Sequence, residues 1–146
     1  MKKIIIFIFL LTLTFINANN IAANSPYLYD ANKNKDFESA DKYFPKIDKK
    51  QYAEYPNSTL NYKGMILYKD IGKSLQKEAK RFHIITNDDH SNPNISPERQ
   101  VYLFYSARLM ENNNRMEYRF IIIDAETEDI IAEGSGDGLY SPNKKD

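Results

Sequence analysis

Several short stretches of this chain carry residue types that do chemistry elsewhere. Asp88, Asp89 and His90 stand together with His83 just upstream, and carboxylate plus imidazole suits zinc or another divalent ion. Adjacent residues seldom aim three ligands at one point, and no H-E-x-x-H or H-x-H spacing supports them. A solvated acidic loop is the expectation, with Asp88, Asp89, His90 and His83 kept as metal candidates for a small metal-dependent hydrolase. Ser74 and Lys77 form an S-x-x-K pair, but S-D-N and K-T-G, which accompany it in penicillin-recognising enzymes, are both absent. Gly72-Lys73-Ser74 matches the end of a phosphate-binding loop, yet Leu67 occupies the position where that loop needs its first glycine. The carboxylates Asp124, Glu126, Glu128 and Asp129 crowd one turn. A calcium loop requires glycine in sixth place, where Asp129 stands, so a solvated turn is expected. Residues 134–138 read G-S-G-D-G with no helix to follow, which predicts a bulge or flexible strand end, or else a mobile binding loop.

No catalytic residue and no cofactor is therefore expected. Composition narrows the classes further. With 146 residues there is room for one domain, and without cysteine there is neither a disulfide scaffold nor a thiolate metal site. Twenty basic residues against 20 acidic ones lack the excess that nucleic-acid binding demands.

The opening residues read as an address. Lys2 and Lys3 precede a run from Ile4 to Ile16 broken only by Thr12 and Thr14, shorter than a membrane span and followed at once by Asn17, Asn19 and Asn20. Cleavage after Ala18 or Ala23 is expected, making residues 1–23 a signal peptide. Its loss takes Lys2 and Lys3 and leaves 18 basic against 20 acidic residues, a formal charge of −2.

Residues 24–58 are polar and weakly patterned. The stretch 30–35 reads as a linker, and a short helix over 36–44 places Phe37, Ala40 and Phe44 on one side before Pro45 stops it. The patterning sharpens in 59–146, which is taken as a single domain. A strand is predicted over 61–69, with Tyr62, Gly64, Ile66 and Tyr68 on one face. Asp70 then caps an amphipathic helix whose stripe is Ile71, Leu75, Ala79 and Phe82. After a loop at 87–97, alternation predicts strands over 100–110, 116–124 and 129–133, joined by turns at 111–115 and 125–128. A striped helix and an apolar sheet face bury each other. The fold expected is α+β, a twisted antiparallel meander of about four strands with one main helix across it.

Eleven tyrosines remain to be placed. Tyr62, Tyr68, Tyr102 and Phe104 are candidates for an aromatic contact surface on the wetter sheet face, or else for core and cover beneath the N-terminal segment. The function expected is an exported, non-enzymatic binding or protein-interaction module of the bacterial cell envelope, periplasmic or secreted. Its partner is an envelope protein or a small ligand, not nucleic acid, and no stable membrane span survives signal cleavage. The alternatives are a structural accessory subunit of an envelope assembly, with 24–58 ordering on its partner, and the hydrolase named above.

Overall fold

The computed structural model describes residues 25–78, 92–110 and 115–139. Four strands lie side by side in chain order: β1 (Leu60–Leu67), β2 (Gln100–Met110), β3 (Arg115–Asp124) and β4 (Ile130–Leu139). Every neighbouring pair is antiparallel, so the sheet is a meander. Helix α1 (Ala40–Tyr43) precedes it and helix α2 (Ile71–Glu78) follows β1, giving the α+β class that the patterning predicts. The predicted signal segment 1–23 lies outside the described residues, as do Ala79 and Phe82 of the helical stripe. Among the described residues, no helix is long and apolar enough to cross a membrane.

Strand β2 explains why the sheet needs two covers. All seven residues from Val101 to Ala107 are buried, and successive side chains of a strand point to opposite faces. Val101, Leu103, Tyr105 and Ala107 face the layer that holds Ile71 and Leu75 of α2 together with Tyr68 and Ile95. The turn Tyr68–Asp70 is 3-10 and runs directly into α2. It lets the chain leave β1 and fold back over the same face.

The second face is covered by the stretch read as weakly structured. Tyr43 of α1 stacks on Tyr102 with ring centroids 4.3 Å apart and planes 10° from parallel. Phe44 and Tyr52 close around Phe104 at 5.4 Å and 6.3 Å, and the Tyr102 hydroxyl donates to the Glu38 carbonyl at 3.0 Å. The helix expected over 36–44 is shorter, starting at Ala40, and Pro45 stands in the 3-10 turn Phe44–Lys46 that follows it directly. Few apolar residues suffice here because most of them are aromatic rings, each contributing roughly 1.5–3 kcal/mol when fully buried. Tyr102 and Phe104 are 2% and 0% accessible, so they are not on an exposed contact surface but in the core under the N-terminal segment, the other place expected for them.

Strand β4 runs on through the glycine-rich stretch. Gly134 pairs with Phe120 and Gly136 with Tyr118, and both aromatic rings lie across the vacant Cβ positions. A Cβ on Gly134 would meet the Phe120 ring at 2.8 Å, and one on Gly136 would meet the Tyr118 hydroxyl at 2.7 Å. The rings of β3 thus supply the cover that β4 side chains would otherwise give. The register shift lies at Ile122 and Ile123, away from the glycines.

Candidate functional site

Two polar assemblies stand out, one closed and one open. The closed assembly ties the end of β3 to the N-terminal segment. Arg99 grips Asp124 with two parallel bonds, Nε to Oδ2 at 2.6 Å and Nη2 to Oδ1 at 2.7 Å, and both side chains are buried. Arg99 Nη1 also donates to the Asp30 carbonyl at 2.9 Å and faces Glu126 Oε2 at 2.8 Å. Asp124 Oδ1 accepts from the backbone N–H groups of Glu126 and Thr127, at 2.9 Å and 2.8 Å, which folds the turn after β3 around it. Asn32 donates to Glu126 and accepts from the Gln100 backbone N–H, while Lys35 pairs with Glu126.

Burial alone would push the Asp124 carboxyl up. Arg99 and the two turn amides outweigh it, so its pKa lies below the ordinary carboxylate value. The same pairing with Asp124 raises the Arg99 guanidinium against the effect of burial. This is a structural clasp, with every charge bonded. The expected solvated turn holds for Glu126, Glu128 and Asp129, which are exposed, and is corrected at Asp124, which is sealed; Asp129 accepts from the Tyr29 and Thr127 hydroxyls. The turn reaches Glu128 with φ at 63°, a left-handed conformation for a residue with a Cβ.

The open assembly is a groove of about 370 Å³ on the face that carries the N-terminal segment, between that segment and the β3–β4 pair. Gln51, Tyr52, Tyr55, Arg119, Glu133 and Ser135 line it. Cross-strand register explains why polar groups gather here. Asn61, Ser106, Arg119 and Ser135 form one row across the four strands, and Arg108, Glu117 and Asp137 form the next row out. The rows at the other end of this face hold Tyr102, Phe104, Ile121 and Ile123, and there α1 finds apolar ground. The N-terminal segment therefore seals one half of the face and only borders the other.

Each wall of the groove is fixed by specific contacts. Arg119 Nη1 donates to the Ala53 carbonyl at 3.1 Å, and its guanidinium lies 3.7 Å from the centroid of the Tyr55 ring. The Tyr55 backbone N–H donates to the buried Ser106 hydroxyl at 2.9 Å. Arg108 lies 4.6 Å from the same ring and is held by Glu117 at 2.8 Å. Tyr52 is buried and its hydroxyl has no hydrogen-bond partner among the described residues; desolvation holds its pKa well above the ordinary phenol value. Glu133 is exposed at the rim, on the side of β4 shared with Ser135 and Asp137.

Of the residues singled out in the sequence, Tyr62 is partly buried and Tyr68 buried, both packed in the layer with α2. Neither lines the groove. Asp88, Asp89, His90 and His83 lie outside the described residues. Among the described residues, no group of three or more His, Cys, Asp or Glu side chains is placed to hold a metal ion. Sequence reading missed Tyr52, Tyr55, Arg119 and Glu133 as neighbours because they come from segments far apart in the chain. The available signal was the polar pair Ser106 and Arg108 interrupting an otherwise aromatic strand face. Set against protein-family models, curated proteins and solved structures, the chain matches none of them, so its own geometry carries the functional argument.

Proposed function

We propose that this chain is a small exported, non-enzymatic binding module of the bacterial cell envelope, using the groove between residues 51–55 and the β3–β4 pair. The observation that carries the reading is the contrast in hydrogen bonding at the two polar assemblies. The Arg99–Asp124 clasp directs its bonds inward, whereas the groove presents Glu133, Ser135 and Gln51 at its margin beside the Arg119–Tyr55 wall. A concave, pre-formed site with a few convergent polar groups and aromatic walls is the general form of a ligand site. The Lys2–Lys3 start and the apolar run to Ile16 support export. Residues 40–52 already have a packing partner in the sheet, which gives the accessory-subunit reading no support from that segment.

The test is affinity capture from the source cell envelope with residues 24–146 and with Ser135→Trp, which fills the groove from an exposed position. A species held by the first and lost from the second supports the reading. Identical capture by both proteins overturns it. N-terminal sequencing of the mature protein checks export separately, with a start at residue 19 or 24 expected.

A further inference from the structure

We infer that β4 is the docking edge of this groove, and that its occupant is an extended cationic peptide segment which joins the sheet as a fifth strand. The inference rests on the binding-module reading and names the partner class for that site. Among the described residues β4 pairs only with β3, so one side of its backbone is left without a ladder partner. An exposed edge invites strand addition unless it is blocked, and proline, edge lysine and bulges are the usual blocks. No proline or lysine occurs in Ile130–Leu139, and the register shift lies at the Ile122/Ile123 end, away from the glycines.

The opposite edge differs. β1 carries Lys63, which faces Glu54 at 3.3 Å and sits over the Phe44 ring at 3.7 Å, so the N-terminal segment folds against that border.

Charge selects the occupant. From residue 120 to residue 143 the sequence contains no lysine or arginine. Glu133 and Asp137 project on the groove side of β4, four residues apart, with Ser135 between them. Asp137 pairs with Arg115 across the sheet, while Glu133 has no ion pair among the described residues. A second copy of β4 is disfavoured, because antiparallel self-pairing about Ser135 sets Glu133 opposite Asp137 of the other strand. A peptide with Lys or Arg at alternate positions meets the unpaired Glu133 and reaches Asp137 in competition with Arg115. On the opposite face, Gly134 and Gly136 leave only the Phe120 and Tyr118 rings, which apolar side chains of such a strand would contact. The sequence sought thus alternates basic and apolar residues.

The probe is an end-blocked, fluorescently labelled peptide of about nine residues alternating Lys and Val, long enough to span β4. Controls are the Glu/Val counterpart and a Lys/Val version with proline replacing the central Val. Anisotropy is read against residues 24–146 and against the double variant Glu133→Lys with Asp137→Asn, each checked for folding by circular dichroism. The Lys/Val peptide is expected to bind, to slow amide exchange in 131–138, and to lose affinity about tenfold in the double variant. The proline control should bind more weakly. No binding of Lys/Val, equal binding of Glu/Val, or binding that leaves β4 amide exchange unchanged each overturns the inference. Groove-dependent capture from the envelope together with any of those results leaves the binding-module reading standing and removes only the cationic strand.

Discussion

The two polar assemblies use the same residue types for opposite purposes. At the clasp, Arg99 sits against Asp124 with bidentate geometry and both side chains are excluded from water. At the groove, Arg119 lies on an aromatic ring, bonds one carbonyl and leaves Glu133 at the rim. An ion pair sealed in a low-dielectric interior fixes geometry at a high desolvation cost, and breaking one partner leaves a stranded charge. An exposed carboxylate beside a groove fixes nothing in its own fold. The difference separates residues that hold the body together from residues available to a ligand.

Substitutions sharpen that contrast, beginning with the largest effect. Asp124→Ala strands Arg99 in the interior and should destabilise the fold by about 3–5 kcal/mol, read as a lower midpoint in guanidinium unfolding. If the loss is under about 1 kcal/mol, the clasp is not the anchor described here.

Acid tests the same bond from another side. The Asp124 pKa is lowered in the fold, so its contribution is present above the ordinary value of 3.8 and is lost as pH falls through the folded value. Thermal melts from pH 5 downward should show an acid limb that Asp124→Asn reduces. At the groove, Arg119→Met removes the bond to Ala53 and the stacking on Tyr55, for a cost of about 1–2 kcal/mol. Tyr52→Phe deletes a hydroxyl that lacks a partner, and should leave stability unchanged or raise it by up to about 1 kcal/mol. Glu133→Gln should not move the unfolding midpoint at all; a large shift there would show that the rim carboxylate is structural.

Much of this architecture was legible from periodicity. β2 was read at its observed bounds because Gln100 to Met110 alternates without a break, and the Ile71–Leu75 stripe announced α2. The alternation stops at Glu133, short of the end of β4, because glycine carries no side chain to alternate. The compensating rings belong to Tyr118 and Phe120, one strand away. The cover of the second face was hidden for a related reason. Tyr43, Phe44 and Tyr52 are scattered among lysines and aspartates, and their packing value depends on Tyr102 and Phe104, about 50–60 positions later. That distance also concealed the groove, since nothing local links Tyr55 to Arg119. A strand face that changes midway from Tyr102 and Phe104 to Ser106 and Arg108 was the one readable hint that its cover stops there.

The clasp has a bearing on how the chain acquires its shape. Tyr29 bonds Asp129 across 100 positions, and Asn32 bonds Glu126 across 94. These clasp bonds join nearly the first described residues to positions 126 and 129, and closing so long a loop is slow. During synthesis Tyr29, Asp30 and Asn32 meet their partners in residues 94–100 first, and the clasp is completed only once the turn after β3 has left the ribosome. Under the export reading proposed above, such late completion of the clasp would keep the chain pliable for passage across a membrane.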